Sequence, residues 1–378
     1  MVSLPAAPRR GVVLTEDMRL SWLRLSRSEN VGPVTFRELI NRFGSASAAL
    51  QALPDLAARG GRRIVVCSEA AAAEEMARAN KLGARFVCRG EPDYPQHLAR
   101  VESAPPVLAL MGAADCLHRP SLGIVGARNA SLSGVKLTRL FATGVGKAGY
   151  VVVSGLARGI DAAAHDAALA TGTVGVFAGG LDHPYPTENR ALMRRILDEG
   201  GALLSEMPFG WTPRAIDFPR RNRIVAGLSL GLLVVEAAMR SGSLISARLA
   251  GEFGRLVFAV PGSPLDPRAA GTNRLIRDGA ILACEPADVL EALAPLAGDG
   301  TRGDDPTLFE PAADGPLEEP SKDERERVVE ALGPTPVTIE EIIAHTGVPT
   351  GIVQLVLLEL DLAGRLERHP GGMVSLLL

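Results

Sequence analysis

The chain has 378 residues, of which 47% are hydrophobic and 22% charged, enough to bury a sizeable core in the two or three domains of an ordinary soluble protein. Its four cysteines, Cys67, Cys88, Cys116 and Cys284, form no Cys-x-x-Cys pair and no Cys/His cluster, so neither a zinc site nor a disulfide framework is indicated and a reducing compartment fits. The formal net charge of −3 conceals an asymmetry: residues 119–285 carry 19 Lys/Arg against 13 Asp/Glu, and residues 286–378 carry 6 against 18, so a polyanion is drawn to the middle of the chain and repelled by its tail.

In chain order, Met1 to Leu14 carries Arg9 and Arg10 but lacks the apolar core of a signal peptide, and the longest apolar stretch, Leu228 to Met239, is too short to span a bilayer. The expected location is the cytoplasm, without membrane contact. Residues 16–80 read as helical. Within them Val31-Gly32-Pro33 precedes Phe36, Leu39, Ile40 and Phe43 at helical spacing, a pattern that suits a helix-hairpin-helix element with phosphate-facing amides or a plain helical packing module.

The central segment alternates short β-branched runs with helical patterns, which predicts a parallel sheet with crossover helices. Strands are expected at Leu122 to Val125, Tyr150 to Val153, Val174 to Ala178, Ala202 to Ser205, Leu230 to Val235, Leu256 to Val260 and Ala280 to Ala283. The carboxyl ends of such strands form the ligand crevice of an open α/β sheet. From about residue 297 to 320 the composition is that of a flexible acidic linker. Three helical patterns and a hairpin around Gly371-Gly372 then follow in the order of a winged helix. Between Val337 and Ala363 there are four acids and no Lys or Arg, so protein contact is expected there in preference to a DNA groove.

Gly123-Ile124-Val125-Gly126 opens the sheet, yet Gly126-Ala127-Arg128-Asn129-Ala130-Ser131 does not continue as Gly-x-Gly-x-x-Gly, and the second strand ends in Ser154-Gly155 with no acid for a ribose. Gly146-Lys147-Ala148 lacks the hydroxyl of a Walker loop. Asp161 and His165 lie four apart on a helix, either as a pair or as a cap and a structural histidine, and Glu236 with Ser243 suits either a hydrolytic site or a strand-end carboxylate and a helix cap.

Phosphate binding has more support. Gly126 and Arg128 end the first strand ahead of Ser131 and Ser133, Gly155, Arg158 and Gly159 end the second, and Gly179-Gly180 end the third. The cluster Arg220, Arg221, Asn222 and Arg223 follows the fourth, and Ser243 opens a later helix. Planar guanidinium groups and helix-opening amides suit phosphate. The alternative for the cluster is pairing with Glu206, Asp217 or Glu236.

These stretches, with Ser154-Gly155-Leu156-Ala157-Arg158-Gly159-Ile160-Asp161, Tyr185-Pro186, Ser205-Glu206-Met207-Pro208, Phe218 to Ile224, Gly242-Ser243-Leu244-Ile245-Ser246 and Pro261-Gly262, occur in order over about residues 104–290. The chain thereby resembles the DNA-processing protein A (DprA/Smf) family. The resemblance implies an α/β fold, an extended Rossmann-like parallel sheet core (residues 101–296) between an N-terminal helical, SAM/helix-hairpin-helix-like module (1–100) and, after the 297–320 linker, a winged-helix domain (321–378). It implies a homodimer that binds single-stranded DNA and loads the RecA recombinase onto it in natural transformation, with no cofactor, metal site or catalytic residue. Aromatic platforms are few, Phe141, Phe177, Tyr185, Phe209, Trp211 and Phe218 being candidates, so phosphate contacts are expected to dominate. The alternative is a nucleotide-processing, phosphoribohydrolase-like enzyme using Glu236.

Overall fold

A computed structural model describes residues 12–297, 319–369 and 371–377. The expected acidic linker lies, but for its ends, outside them. The described chain forms two compact units: residues 75–297 with 12–13, and residues 14–74 with 319–377.

The first unit is built on nine strands: β1 (Ala84–Cys88), β2 (Val107–Gly112), β3 (Ser121–Val125), β4 (Val151–Ser154), β5 (Thr173–Val176), β6 (Ala202–Ser205), β7 (Gly231–Val234), β8 (Leu256–Ala259) and β9 (Ile281–Leu282), in the order β1-β2-β6-β5-β4-β3-β7-β8-β9. All seven expected strands are present, and they pair in parallel. Two more, β1 and β2, extend the sheet antiparallel from β6. They come from a stretch for which the sequence reading expected no strand.

Every residue of β3 to β7 is buried, as befits a parallel sheet covered on both faces. The pleat sends alternate residues to opposite sides. Val151, Val153, Leu232 and Val234 join one core with Ile224, Val225, Ala247 and Ala250 of the helices Asp217–Leu228 and Gly242–Glu252. Leu122, Ile124, Val152 and Leu233 join the other with Phe141, Ala164 and Val289 of the helices Leu132–Lys147, Ile160–Ala168 and Pro286–Ala297. The chain runs outward from β3 to β6 on one side and resumes at β7 on the other. The reversal leaves a crevice between the carboxyl ends of β3 and β7.

The second unit joins chain segments that are remote in sequence. The helices Glu16–Arg27, Pro33–Phe43 and Ala46–Arg59 pack around Trp22 and Phe36, whose ring centroids are 4.9 Å apart. Gly32 caps the second of these in an extended conformation with Pro33 at its first position, where proline's missing N–H costs nothing. The winged helix has capping boxes at Ser321/Glu324 and Thr338/Glu341 and a sheet of β10 (Val337–Thr338), β12 (Met373–Leu376) and β11 (Leu366–His369).

Its third helix, Thr350–Leu362, is the one a winged helix lays in a DNA groove. Here Val353, Val356, Leu357 and Leu360 face the winged-helix core, while its far end meets the N-terminal helices. Thr35 Oγ1 donates to Asp361 at 2.8 Å and Asn30 Nδ2 to the Leu362 carbonyl at 2.8 Å. Glu359, buried, takes a two-pronged bond from Arg325 at 3.0 and 3.2 Å and lies 4.0 Å from Arg59. Arg368, on β11 of the wing, is spent on Glu38 at 2.9 Å and Asp361 at 3.0 Å. The chain's own helices therefore cover this end of the helix, in keeping with its lack of positive charge.

Candidate nucleic-acid interface

At the end of β3 the chain turns outward through Gly126, which is packed against Ile160, with 3.1 Å left between its missing Cβ and the Glu236 carbonyl. Two residues on, Arg128 is exposed, with its guanidinium carbon 5.0 Å from the centroid of the Phe218 ring. Tyr185, 52% exposed, meets the same ring at 5.7 Å. A guanidinium over an aromatic face is held by the ring quadrupole while its edge donors stay free for an anion. Among the described residues Arg128 makes no ion pair with a carboxylate.

The crevice between β3 and β7 is already filled. Ser131 caps the helix Leu132–Lys147 by accepting from Gly134 N at 2.9 Å, and its own N–H donates at 3.0 Å to the carboxylate of Glu236, which its hydroxyl also reaches. A Cβ on Gly134 would lie 2.5–2.7 Å from the Glu236 carboxyl atoms, so only glycine lets the carboxylate rest on the first turn. An internal anion thus takes the place at a helix N-terminus where a nucleotide phosphate sits in related architectures. Ser131 is consumed as cap and partner; Ser133, on the same turn, is exposed. Glu236 holds this serine and not the arginines.

The arginine cluster divides by position on its helix. Arg221 is 5% exposed and donates to the carbonyls of Gly155, closing over its missing side chain, and of Val176, the latter at 2.8 Å. Burial pushes its pKa down to about 10, opposed by Asp161, so it stays charged. Asp161 takes Gly155 N–H at 3.2 Å and Ala157 N–H at 3.3 Å, and burial raises its pKa against the pull of Arg221 and these donors. Asn189 Nδ2 holds the Leu156 and Ala157 carbonyls at 2.8 and 3.2 Å. Leu156 is thereby kept at φ 58°, a left-handed conformation that costs a non-glycine residue about 1–2 kcal/mol. Arg221, expected on the phosphate wall, instead fastens the loop after β4 from inside. Arg223 is also withdrawn, bonded to Glu206 and to the Ser103 carbonyl, with 13% of its side chain exposed. Asn222 bridges Arg221 Nε at 3.2 Å and the Gly242 carbonyl at 3.3 Å, which leaves Arg220 as the exposed member.

That fastened loop presents Arg158, whose side chain is 62% exposed and pairs with Glu188. Gly159 follows at φ 73°, pressed against the Ala127 carbonyl, so the loops after β3 and β4 touch. Gly179 and Gly180 are buried beneath Trp211, Pro213 and Pro208, where they permit close chain crossing. Ser243 is buried, its hydroxyl 2.7 Å from that of Ser241, the cap of its helix. Arg128, Arg158, Ser133 and Arg220 are the expected site residues whose side chains remain exposed, and the first two are carried by adjoining loops.

The catalytic alternatives do not assemble. Asp161 and His165 do not pair: His165 Nδ1 bonds Thr173 Oγ1 at 2.7 Å, and burial drives its pKa down to about 3. Glu206 is bonded to Arg223, as the alternative for the cluster had it. Sequence reasoning missed Arg214, which lies over Trp211 at 4.4 Å; the signal was an arginine three residues before an aspartate and after an aromatic.

Three family models match the chain in order: a DprA-like N-terminal HHH domain over residues 16–78, DNA recombination-mediator protein A over 85–294 and a DprA winged helix domain over 310–372. Protein Smf of Synechocystis is 35% identical across 93% of this chain and 96% of its own, and Protein Smf of Escherichia coli is 40% identical across 75% of each. Among solved structures, DNA processing protein A of Streptococcus pneumoniae superposes with a TM-score of 0.61 at 35% identity, over 74% of this chain and 98% of that one. That of Helicobacter pylori, solved for its single-stranded DNA binding mode, gives 0.52 at 28%, over 56% and 96%. With its central model spanning more than half of the residues, the chain belongs to the DNA recombination-mediator protein A (DprA/Smf) family.

Proposed function

We propose that this protein binds single-stranded DNA by its backbone along the strand ends of the sheet, through Arg128, Arg158, Arg220 and the exposed hydroxyl of Ser133. The observation that carries the reading is Arg128, exposed and braced on Phe218 beside Tyr185, which joins a phosphate donor to a surface for unstacked bases. The excess of positive charge in residues 119–285 supports it. Glu236 argues against a mononucleotide enzyme, because its carboxylate occupies the seat a nucleotide phosphate would need. The same reading makes the protein a non-catalytic, cytoplasmic homodimer that delivers the bound strand to RecA during natural transformation, as family membership suggests.

The test is a gel shift of an oligo-dT against a duplex of equal length, with wild type and Arg128→Ala. The expected result is a preference for the single strand and about tenfold weaker binding by the variant, of the order of one charge-assisted bond. Equal binding by the two proteins would remove Arg128 from the site. RecA delivery is tested by whether the protein speeds RecA assembly on DNA coated with single-strand-binding protein.

A further inference from the structure

The first turn of the helix Asp217–Leu228 is flanked by two guanidinium–aromatic pairs. One is Arg128 on Phe218. The other is Arg214, whose guanidinium carbon stands 4.4 Å from the centroid of the Trp211 ring. Both members of the second pair are held by one carboxylate: Asp217 Oδ2 accepts from Trp211 Nε1 at 2.9 Å and from Arg214 N at 2.8 Å, with Arg214 Nε at 3.5 Å. Asp217 itself is buried, and these donors outweigh the burial that would raise its pKa, keeping it below the ordinary range.

The segment is fixed from beneath as well. The Trp211 carbonyl accepts from Gly180 N at 3.0 Å, and Pro213 packs 2.7 Å from where a Cβ of Gly179 would be. Yet 59% of the Arg214 side chain is exposed, and Ile216 beside it is 64% exposed. The guanidinium is thus placed over the indole with its Nε toward Asp217, and more than half of the side chain is open to solvent.

We propose that Arg214, backed by Trp211, is a second stacking platform that takes an unpaired base of the single strand, beyond the platform at Phe218. The proposal rests on the single-stranded DNA reading and extends it from a backbone contact to a two-step base contact. Planar guanidinium groups and aromatic rings stack splayed bases without regard to sequence, whereas paired bases in a duplex present no free face. Asp217 orders the platform, and the exposed Ile216 borders it.

The chain has two tryptophans, and the other, Trp22, is buried in the second unit, so Trp22→Phe leaves Trp211 as the sole reporter. The experiment titrates full-length W22F protein with a labelled oligo-dT and with an abasic oligonucleotide of the same length, following anisotropy and tryptophan emission together, for the parent and for Arg214→Ala and Arg214→Lys. Binding of oligo-dT is expected to quench Trp211. R214A and R214K, each melting as the parent does, should bind oligo-dT about five- to tenfold more weakly, with the loss absent on the abasic strand.

An R214K affinity equal to the parent's, or the same loss on both strands, would make Arg214 a phosphate contact only and overturn the platform. Unchanged emission on saturating oligo-dT would do the same while leaving the single-strand reading intact. No binding of oligo-dT by the parent overturns both.

Discussion

Arg128, in the loop after β3, and Arg221, on the helix Asp217–Leu228, have opposite surroundings. Arg221 is enclosed by Gly155, Val176 and Asp161, all its visible bonding directed at the protein. Arg128 rests on an aromatic face with its edge toward solvent. The difference teaches that arginines from one basic rim divide the work: the enclosed ones set the shape of the loops, and the open ones are left to meet a ligand. A buried charge that has a partner must not be counted toward DNA affinity.

The comparison is broken most forcefully at its inner half. Arg221→Met removes the buried guanidinium that bonds the Gly155 and Val176 carbonyls and opposes the charge of Asp161, and is expected to cost about 3–5 kcal/mol in urea unfolding. Adding Asp161→Asn should return part of that loss, because contacting residues are coupled. An R221M protein as stable as wild type would show that the clamp is not needed.

Acid tests the same interior. The His165 pKa is depressed to about 3 from an ordinary 6.5, so the unfolded chain binds a proton there that the folded chain refuses. Stability from this group is complete above pH 6.5 and is lost as pH falls from there toward 3, at a limiting slope of about 1.4 kcal/mol per pH unit. His165→Asn should flatten the melting temperature against pH between 6 and 4; an unchanged slope would remove His165 from the cause.

Smaller effects sharpen the outer half. Arg128→Ala should weaken single-strand binding about tenfold while altering stability by less than about 0.5 kcal/mol, as for an exposed side chain. Arg158, paired at the surface with Glu188, should give a smaller loss on truncation. Glu188→Gln, by freeing it, should tighten binding by about twofold, since such an exposed pair is weak and screened by solvent. A tighter complex in R158A would place the strand elsewhere.

The seven parallel strands were legible as short apolar runs alternating with helical patterns, and β3 to β7, buried on both faces, are written as continuous ones. β1 and β2 were not, since they join the sheet as an antiparallel extension with no crossover helix between them to announce a β-α-β unit. The motifs located the rim, but the fate of its arginines depends on helix phase. Arg220 and Arg221 are consecutive and about 100° apart around the helix, which is enough to put one in water and the other in the core. Glu236 was misjudged for a similar reason. Its partner Ser131 lies 105 residues away, and only the reversal of strand order between β3 and β7 brings them together.

The central claim is that open rim arginines, and not enclosed ones, meet the DNA backbone. The direct measurement is the dependence of oligo-dT affinity on salt for wild type, Arg128→Ala, Arg220→Ala and Arg223→Gln. Each phosphate neutralised on a single strand contributes about 0.7 to the slope of log affinity against log salt. R128A and R220A should each lower the slope by about that amount, and R223Q, whose arginine serves Glu206 and Ser103, should leave it unchanged. A slope lowered in R223Q and preserved in R128A would contradict the account.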